Sequence, residues 1–218
     1  MSTKAEENYL KAIFKLSEKD QNSASTNAIA EELETKASSV SDMLKKLSEK
    51  NLIHYVKYQG VSLSKLGNSL AVHIVRKHRL WEVFLVNHLH FKWDEVHDMA
   101  EQLEHIKSTE LVNRLDAFLN FPIYDPHGDP IPNEKGVFPK STAIPLNLLK
   151  MNTRGKVVAV EKDNPNFLNY LDKIHVSIGT IIEIIEINEF DYSIDMNIDG
   201  KETHISTDVA KNILICEL

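Results

Sequence analysis

A mainly α chain with a C-terminal β part is what this sequence predicts, on three observations. Apolar residues recur at helical spacing up to about residue 120. Five prolines and two glycines then break that period between 121 and 139, and from residue 154 onward β-branched residues fall in short runs separated by turns. At 218 residues, 42% apolar and 26% charged, the chain suffices for two or three small domains. It has no apolar run of 18 residues and no signal-peptide core at its N-terminus, so a cytoplasmic protein without a membrane partner is expected. The single cysteine, Cys216, excludes a disulfide framework and any multi-thiolate metal site; a bound metal would need N and O ligands.

The net charge of −7 is unevenly spread. Residues 1–76 carry 11 Lys and Arg against 9 Asp and Glu, a balance of +2, whereas residues 77–218 carry 14 against 23, a balance of −9. A mildly basic head on an acidic body fits a DNA-binding part joined to a part that binds cations or protein.

Thr3 with Glu6 three residues on is a capping-box signature, and Tyr9, Leu10, Ile13, Phe14 and Leu16 follow at helical spacing, predicting a first helix that ends near Glu18. After a polar break, Ser25 or Thr26 caps a short helix over 27–34 with Ile29, Ala30 and Leu33 inward. A turn at 35–37 leads to a third helix over 38–50. Its inward positions are Val40, Leu44 and Leu47; outward it shows Ser38, Ser39, Ser41, Asp42, Lys45 and Lys46. Runs over 53–58 and 61–64, joined through Gln59-Gly60, read as a hairpin.

Helix, short helix, turn, helix and hairpin within residues 1–65 is the order of a winged helix-turn-helix. The hydroxyls at the start of the third helix suit a major groove, with Lys45 and Lys46 on phosphates and the hairpin tip, Lys57, Tyr58 and Gln59, along the backbone or minor groove. Asp42 and the near-neutral charge of this part weaken the electrostatic pull, which leaves a three-helix packing unit without a DNA role as the alternative.

Residues 65–90 read as one long helix that becomes apolar nearly all round from Leu80 onward, so it needs two partners. One is supplied by helices over 96–105 and 108–120; the other is expected to be the same surface of a second subunit in a homodimer. The proline-rich stretch 121–139 is a loop or linker holding Asp125-Pro126-His127-Gly128-Asp129, either a plain turn or a source of ligands. Strand-like runs at 156–160, 180–187, 193–198, 202–205 and 212–217, interrupted by a short helix over 166–173, suggest a small barrel.

The chemistry concentrates in V-H-D-M-A-E-Q-L-E-H, residues 96–105. On a helix, His97, Glu101, Glu104 and His105 project within an arc of about 100°. His78 and Glu82, four apart in R-K-H-R-L-W-E, form a second such pair. A solvated face usually mixes Lys and Arg among its acids, so this concentration of imidazole and carboxylate points to a divalent cation held between helices.

These same segments carry a family likeness. E-N-Y-L-K-A-I-F-K-L (7–16), S-S-V-S-D-M-L-K-K-L (38–47), R-K-H-R-L-W-E (76–82), V-H-D-M-A-E-Q-L-E-H (96–105) and D-P-H-G-D-P-I-P (125–132) resemble the diphtheria toxin repressor and manganese-transport regulator family of metal-activated repressors. The resemblance implies a winged helix-turn-helix DNA-binding domain at 1–65, a helical dimerisation and metal-binding domain at 66–140, a linker at 141–153 and an SH3-like β-barrel at 154–218. It also implies a primary metal site of Asn8, His78, Glu101, Glu104 and His105, and a second site of Glu82, His97, Asp125, His127 and, from the barrel, Asp163. Glu101 stands where iron-type members have Cys, which resembles the manganese-type branch. Asn8 stands where that branch has an acid, and Lys11 where some members have a second one.

The expected protein is thus a homodimeric repressor activated by Mn²⁺ or Fe²⁺ at two sites per subunit, binding a palindromic operator on double-stranded DNA and controlling metal-uptake genes. Its rivals are a metal-dependent hydrolase, against which stands the lack of any HExxH signature, phosphate loop or nucleophile elbow, and a winged-helix protein that binds DNA without metal.

Overall fold

The computed structural model describes residues 2–19, 23–56, 60–140, 142–162 and 164–218. Four expected site residues, Lys57, Tyr58, Gln59 and Asp163, lie outside the described residues. The helices are α1 (Lys4–Lys19), α2 (Thr26–Glu32), α3 (Ala37–Glu49), α4 (Lys65–Leu89), α5 (Val96–Leu103), α6 (Thr109–Phe118), α7 (Pro165–Lys173) and α8 (Thr207–Ala210). The strands are β1 (Ile53–Val56), β2 (Gly60–Leu63), β3 (Ile144–Pro145), β4 (Arg154–Val160), β5 (Ile181–Ile187), β6 (Ile194–Ile198), β7 (Lys201–Ile205) and β8 (Ile213–Glu217). They form two compact units. One comprises Met1–His78, Glu101–Asn113 and Pro132–Val137; the other comprises Arg79–Ala100, Arg114–Ile131 and Phe138–Leu218.

In the first unit the capping box closes reciprocally: Thr3 Oγ1 accepts from the Glu6 N–H at 3.3 Å and Glu6 Oε2 from the Thr3 N–H at 3.1 Å. Ser25, not Thr26, caps α2, its hydroxyl accepting from the Ala28 N–H. The inward faces of the first three helices meet in one core in which Leu10, Ile13, Ile29, Val40, Leu44 and Leu47 are fully buried. Each such side chain contributes roughly 1.5–3 kcal/mol of transfer free energy. Strands β1 and β2 pair in the expected hairpin, Ile53 opposite Leu63 and Val56 opposite Gly60, and Ala24 exchanges two backbone hydrogen bonds with Val61. This is a helix-turn-helix with a wing. Helix α4 starts hard against the preceding turn: a Cβ on Gly67 would lie 1.9 Å from the Leu52 carbonyl oxygen, so glycine alone fits there.

Helix α5 ends at Leu103, two residues before the expected end, so Glu104 and His105 sit in the turn that follows rather than on a continuous helical face. The reason is local. The Ile106 N–H closes a turn on the Leu103 carbonyl at 3.1 Å, and Ser108 caps the start of α6 through the Leu111 N–H, so the chain must leave one helix to start the next.

The second unit is built on an antiparallel sheet of order β3-β8-β4-β5-β6-β7. Burial alternates along β4 and β6, and Val157, Ile182, Ile184, Ile194, Met196, Ile213 and Ile215 enclose a core with Leu168 and Leu171 of α7. Register shifts in β4 and β5 bend the sheet around that core. The five expected strands are six. The stretch 141–153, expected as a linker, supplies β3 and a 3₁₀ turn whose Leu146 is fully buried, and α8, capped by Ser206, was not expected. Two residues of β3 are too short to give a period-2 signal.

Also in this unit, Leu80, Val83 and Leu85 of α4 are buried, whereas Phe118 is 62% exposed and Leu89 53%. Trp81, Phe84, His88 and Phe118 form a contiguous ring cluster, with centroids 4.8 Å apart for His88 and Phe118 and 5.8 Å for Trp81 and Phe84. Among the described residues no helix is long and apolar enough to cross a membrane.

Candidate metal centre

The first unit gathers three of its expected ligands, His78, Glu101 and His105, around a fourth, Glu104, which has no solvent exposure. His78 Nδ1 lies 2.7 Å from Glu104 Oε2, and His105 Nε2 lies 3.9 Å from Glu104 Oε1. Two residues of α1 that sequence reasoning did not count as members complete the group. The Lys11 ammonium donates to Glu104 Oε2 at 2.7 Å and to Glu101 Oε1, while Glu7 Oε2 lies 2.7 Å from His105 Nδ1. Glu7 and Lys11 are one helical turn apart, so a single face of α1 presents an acid and a base to this cluster; that i, i+4 spacing was the signal available in the sequence.

Burial pushes the Glu104 carboxyl up, but the hydrogen bond with His78 and the positive charge of Lys11 outweigh it and hold the group below the usual carboxylate range. Lys77 is pulled below its ordinary value by burial, an effect opposed by the negative charges of Glu7 and Glu104. Two oxygens remain unused: Glu104 Oε1 and Asn8 Oδ1 are buried and make no hydrogen bond. Glu101 is the least enclosed of the set, 31% exposed at its side chain.

The second cluster lies wholly in the second unit. Glu82, Asp125 and His127 are all buried and offer ligand atoms within 4.8 Å of one another. His127 Nδ1 is 3.7 Å from Glu82 Oε2, and His97 Nδ1 is 3.4 Å from Glu82 Oε1. The loop that carries Asp125 and His127 is more than a plain turn. Asp125 Oδ1 accepts from the backbone N–H groups of His127 and Asp129, both at 2.9 Å, and the Val160 N–H of β4 donates to the His127 carbonyl at 2.9 Å. Gly128, at φ +88°, presses against β4 so closely that a Cβ would fall 2.0 Å from the Val158 carbonyl oxygen.

The Trp93 carbonyl can only accept, so His127 Nε2 donates to it at 2.7 Å and Nδ1 faces the carboxylates. Burial pulls the His127 imidazole down, but Glu82 and Asp125 beside it dominate and raise it to about 9. Asp125 is held well above the usual carboxylate range by burial and by the charges of Glu82 and Asp129, against the pull of His127 and Arg79. Arg79 Nε stands 3.7 Å from Asp125 Oδ2 and its terminal nitrogen donates to Asp129 at 3.1 Å.

On α3, Ser38, Ser39, Asp42, Lys45 and Lys46 are exposed, as a groove-reading face requires. Ser41 is half-buried and its hydroxyl bonds back to the Ala37 carbonyl at 3.0 Å, and Lys45 lies 3.6 Å from Asp42.

Residues 1–61 match the family described as iron dependent repressor, N-terminal DNA binding domain; residues 64–133 match iron dependent repressor, metal binding and dimerisation domain; and residues 144–216 match the FeoA domain. The chain is 34% identical over 158 residues to the iron-dependent repressor IdeR of Mycobacterium tuberculosis, spanning 71% of this chain and 68% of that relative. It belongs to the diphtheria toxin repressor and manganese-transport regulator family. As a member, it is a metal-dependent, DNA-binding transcriptional repressor of metal homeostasis, which dimerises and is not an enzyme. The hydrolase reading falls with that assignment.

Similarity to the family extends end to end. The diphtheria toxin repressor of Corynebacterium diphtheriae is 28% identical over 223 residues, covering 97% of this chain and 96% of its own. A solved manganese-dependent transcriptional repressor in complex with manganese has a TM-score of 0.87 and 36% identity, covering 98% of this chain and 100% of its own. The residues present fit the divalent cation that the family requires. Both clusters offer buried imidazole and carboxylate with no sulfur, and the unused oxygen of Glu104 is an acceptor a cation would satisfy.

Proposed function

We propose that this repressor is activated by Mn²⁺ or Fe²⁺ at two sites per subunit and that the loaded dimer binds a palindromic operator controlling metal-uptake genes in the cytoplasm. The first site would be held by Asn8, His78, Glu101, Glu104 and His105, and the second by Glu82, His97, Asp125 and His127, with Asp163 added on family likeness. The observation that carries this reading is Glu104: a fully enclosed carboxylate gathered with Glu101, His78 and His105, one oxygen of which accepts no hydrogen bond, offers a divalent cation a buried acceptor among N and O donors. An all N/O donor set suits Mn²⁺ and Fe²⁺, while selectivity against Zn²⁺ and Cu²⁺ rests on geometry and supply.

A bound divalent ion supplies two positive charges and directional bonds to oxygen and nitrogen. The chain's own residues do the rest. Asn8 belongs to α1, whereas Glu101, Glu104 and His105 lie more than 90 positions along the chain, so a metal held by both would join α1 to the end of α5 through its own bonds in place of side-chain contacts. Helix α1 packs on the same core as α3, so fixing α1 fixes the orientation of the α3 face that carries Ser38, Ser39, Lys45 and Lys46. Metal thus favours the DNA-competent arrangement by binding it more tightly than the open one. The ring cluster of Trp81, Phe84, His88 and Phe118 is the face we assign to the dimer, because aromatic groups of this size are seldom left to water without a partner.

The test is fluorescence anisotropy of DNA from upstream of the chain's own gene at fixed salt, titrated with Mn²⁺, anaerobic Fe²⁺ and Zn²⁺. Binding should tighten with Mn²⁺ or Fe²⁺ and lose that response in Glu104→Gln. Equal binding in chelator would instead make this a metal-independent winged-helix protein.

A further inference from the structure

We propose that Lys11 is a built-in competitor for the metal of the first cluster. Its ammonium bridges the carboxylates of Glu101 and Glu104, two acids that a divalent ion would have to gather there. The inference rests on the metal-gated reading and deepens it by naming the residue that sets the metal threshold.

The geometry is that of an internal cation, not of a stray surface pair. Glu104 is fully enclosed and the Lys11 side chain is 17% exposed, so both charges are largely withdrawn from water and depend on each other. The link spans 90 positions to Glu101 and 93 to Glu104, so folding has chosen it over any local partner. Three rotatable N–H donors allow one ammonium to serve two carboxylates, but an ammonium has no lone pair and cannot become a ligand. A divalent cation that takes the bridging oxygens must therefore expel Lys11, whose long stem can carry the charge out to solvent.

Two consequences follow for the metal-free chain. Its α1 is held to α5 at Glu101 and to the turn after it at Glu104 by the flexible Lys11 stem, and to that turn at His105 by Glu7, side-chain links that a bound metal would replace with its own. Its affinity for metal at this cluster is reduced by the work of displacing a cation that is tethered, and so always present at high effective concentration. A lysine in this position raises the free-metal level at which the site fills, whereas an uncharged residue of similar shape would lower it.

The experiment is Mn²⁺ binding to the full chain by competition with a fluorescent chelator, together with thermal melting in EDTA, for wild type, K11M, K11Q and K11R. K11M and K11Q are expected to bind Mn²⁺ at one site per subunit about tenfold or more tightly than wild type. They should also melt at lower temperature in EDTA, because two acids have lost their cation, and K11R should stay near wild type in both measurements. Unchanged or weaker Mn²⁺ binding by folded K11M and K11Q would overturn the role of Lys11 while leaving the metal-gated repressor standing. Absence of Mn²⁺ binding by all four proteins would overturn both. K11Q and K11R keep the test decisive if the more apolar K11M fails to fold.

Discussion

In the first unit the cation set among the acids is the ammonium of Lys11; in the second it is the imidazole of His127, raised to about 9 by Glu82 and Asp125 and flanked by the Arg79 guanidinium beside Asp125. Both clusters neutralise buried carboxylates from within the chain, but the two cations differ in what they can become. Lys11 can only leave. His127 can give up one proton and remain as a ligand through the nitrogen that faces Glu82, because its other nitrogen is fixed on the Trp93 carbonyl. On the proposed two-site reading, the first cluster would be a competition between two cations and the second an exchange of a proton for a metal, and the two would fill at different metal levels.

The largest expected effect that separates them comes from Glu104→Ala. Removing the one fully enclosed acid should weaken Mn²⁺ uptake at the first cluster by more than the roughly 10–100-fold that loss of a supporting partner brings, while the second cluster keeps its affinity. Equilibrium dialysis against Mn²⁺, counting ions per subunit, would show it. Gly128→Ala addresses the second cluster alone. Its Cβ would collide with the Val158 carbonyl and its φ of +88° disfavours any side chain, so we expect a loss of about 2 kcal/mol or more in urea unfolding and loss of one bound Mn²⁺, with the first cluster unaffected.

A pH titration of stability in chelator sharpens the contrast further. The folded-state value of His127 is raised above its unfolded one of about 6.5, so its contribution is fully present below that pH and is lost as pH rises through about 9. The loss should not exceed about 3 kcal/mol and should vanish in His127→Gln. The smallest effect expected is on assembly. Phe118→Glu places a charge in the exposed ring cluster of the second unit and should weaken the dimer by about tenfold in sedimentation, with both clusters still binding Mn²⁺ in the monomer.

Much of this was legible in the sequence, and what was not has physical causes. The capping box at Thr3, the three inward faces, the hairpin and the long α4 all follow from local periodicity and cap chemistry, and each is present. The four-residue face at 97–105 was only half right: periodicity cannot see where a helix must stop so that Ser108 can cap the next, so Glu104 and His105 belong to a turn. Glu104 nonetheless reaches His78, since the turn serves as well as another helical turn to aim it, whereas His97 pairs with Glu82 in the second cluster. The i, i+4 spacing of Glu7 and Lys11 puts them on one face of α1 but does not name their partners, because those contacts lie 90 or more positions away and such a charged pair also suits a solvated face. Strand β3 and the burial of Leu146 were missed for the same reason, being fixed by pairing with β8 and not by a local pattern.

The most direct test is anomalous diffraction at the manganese edge from crystals of the chain grown with excess Mn²⁺. The expected map has one peak within bonding distance of Glu104 and His105, with Lys11 withdrawn from both carboxylates, and a second among Glu82, Asp125 and His127. A map with no peak at either cluster and Lys11 still bridging Glu101 and Glu104 would contradict the assignment of these residues as the metal sites of this repressor.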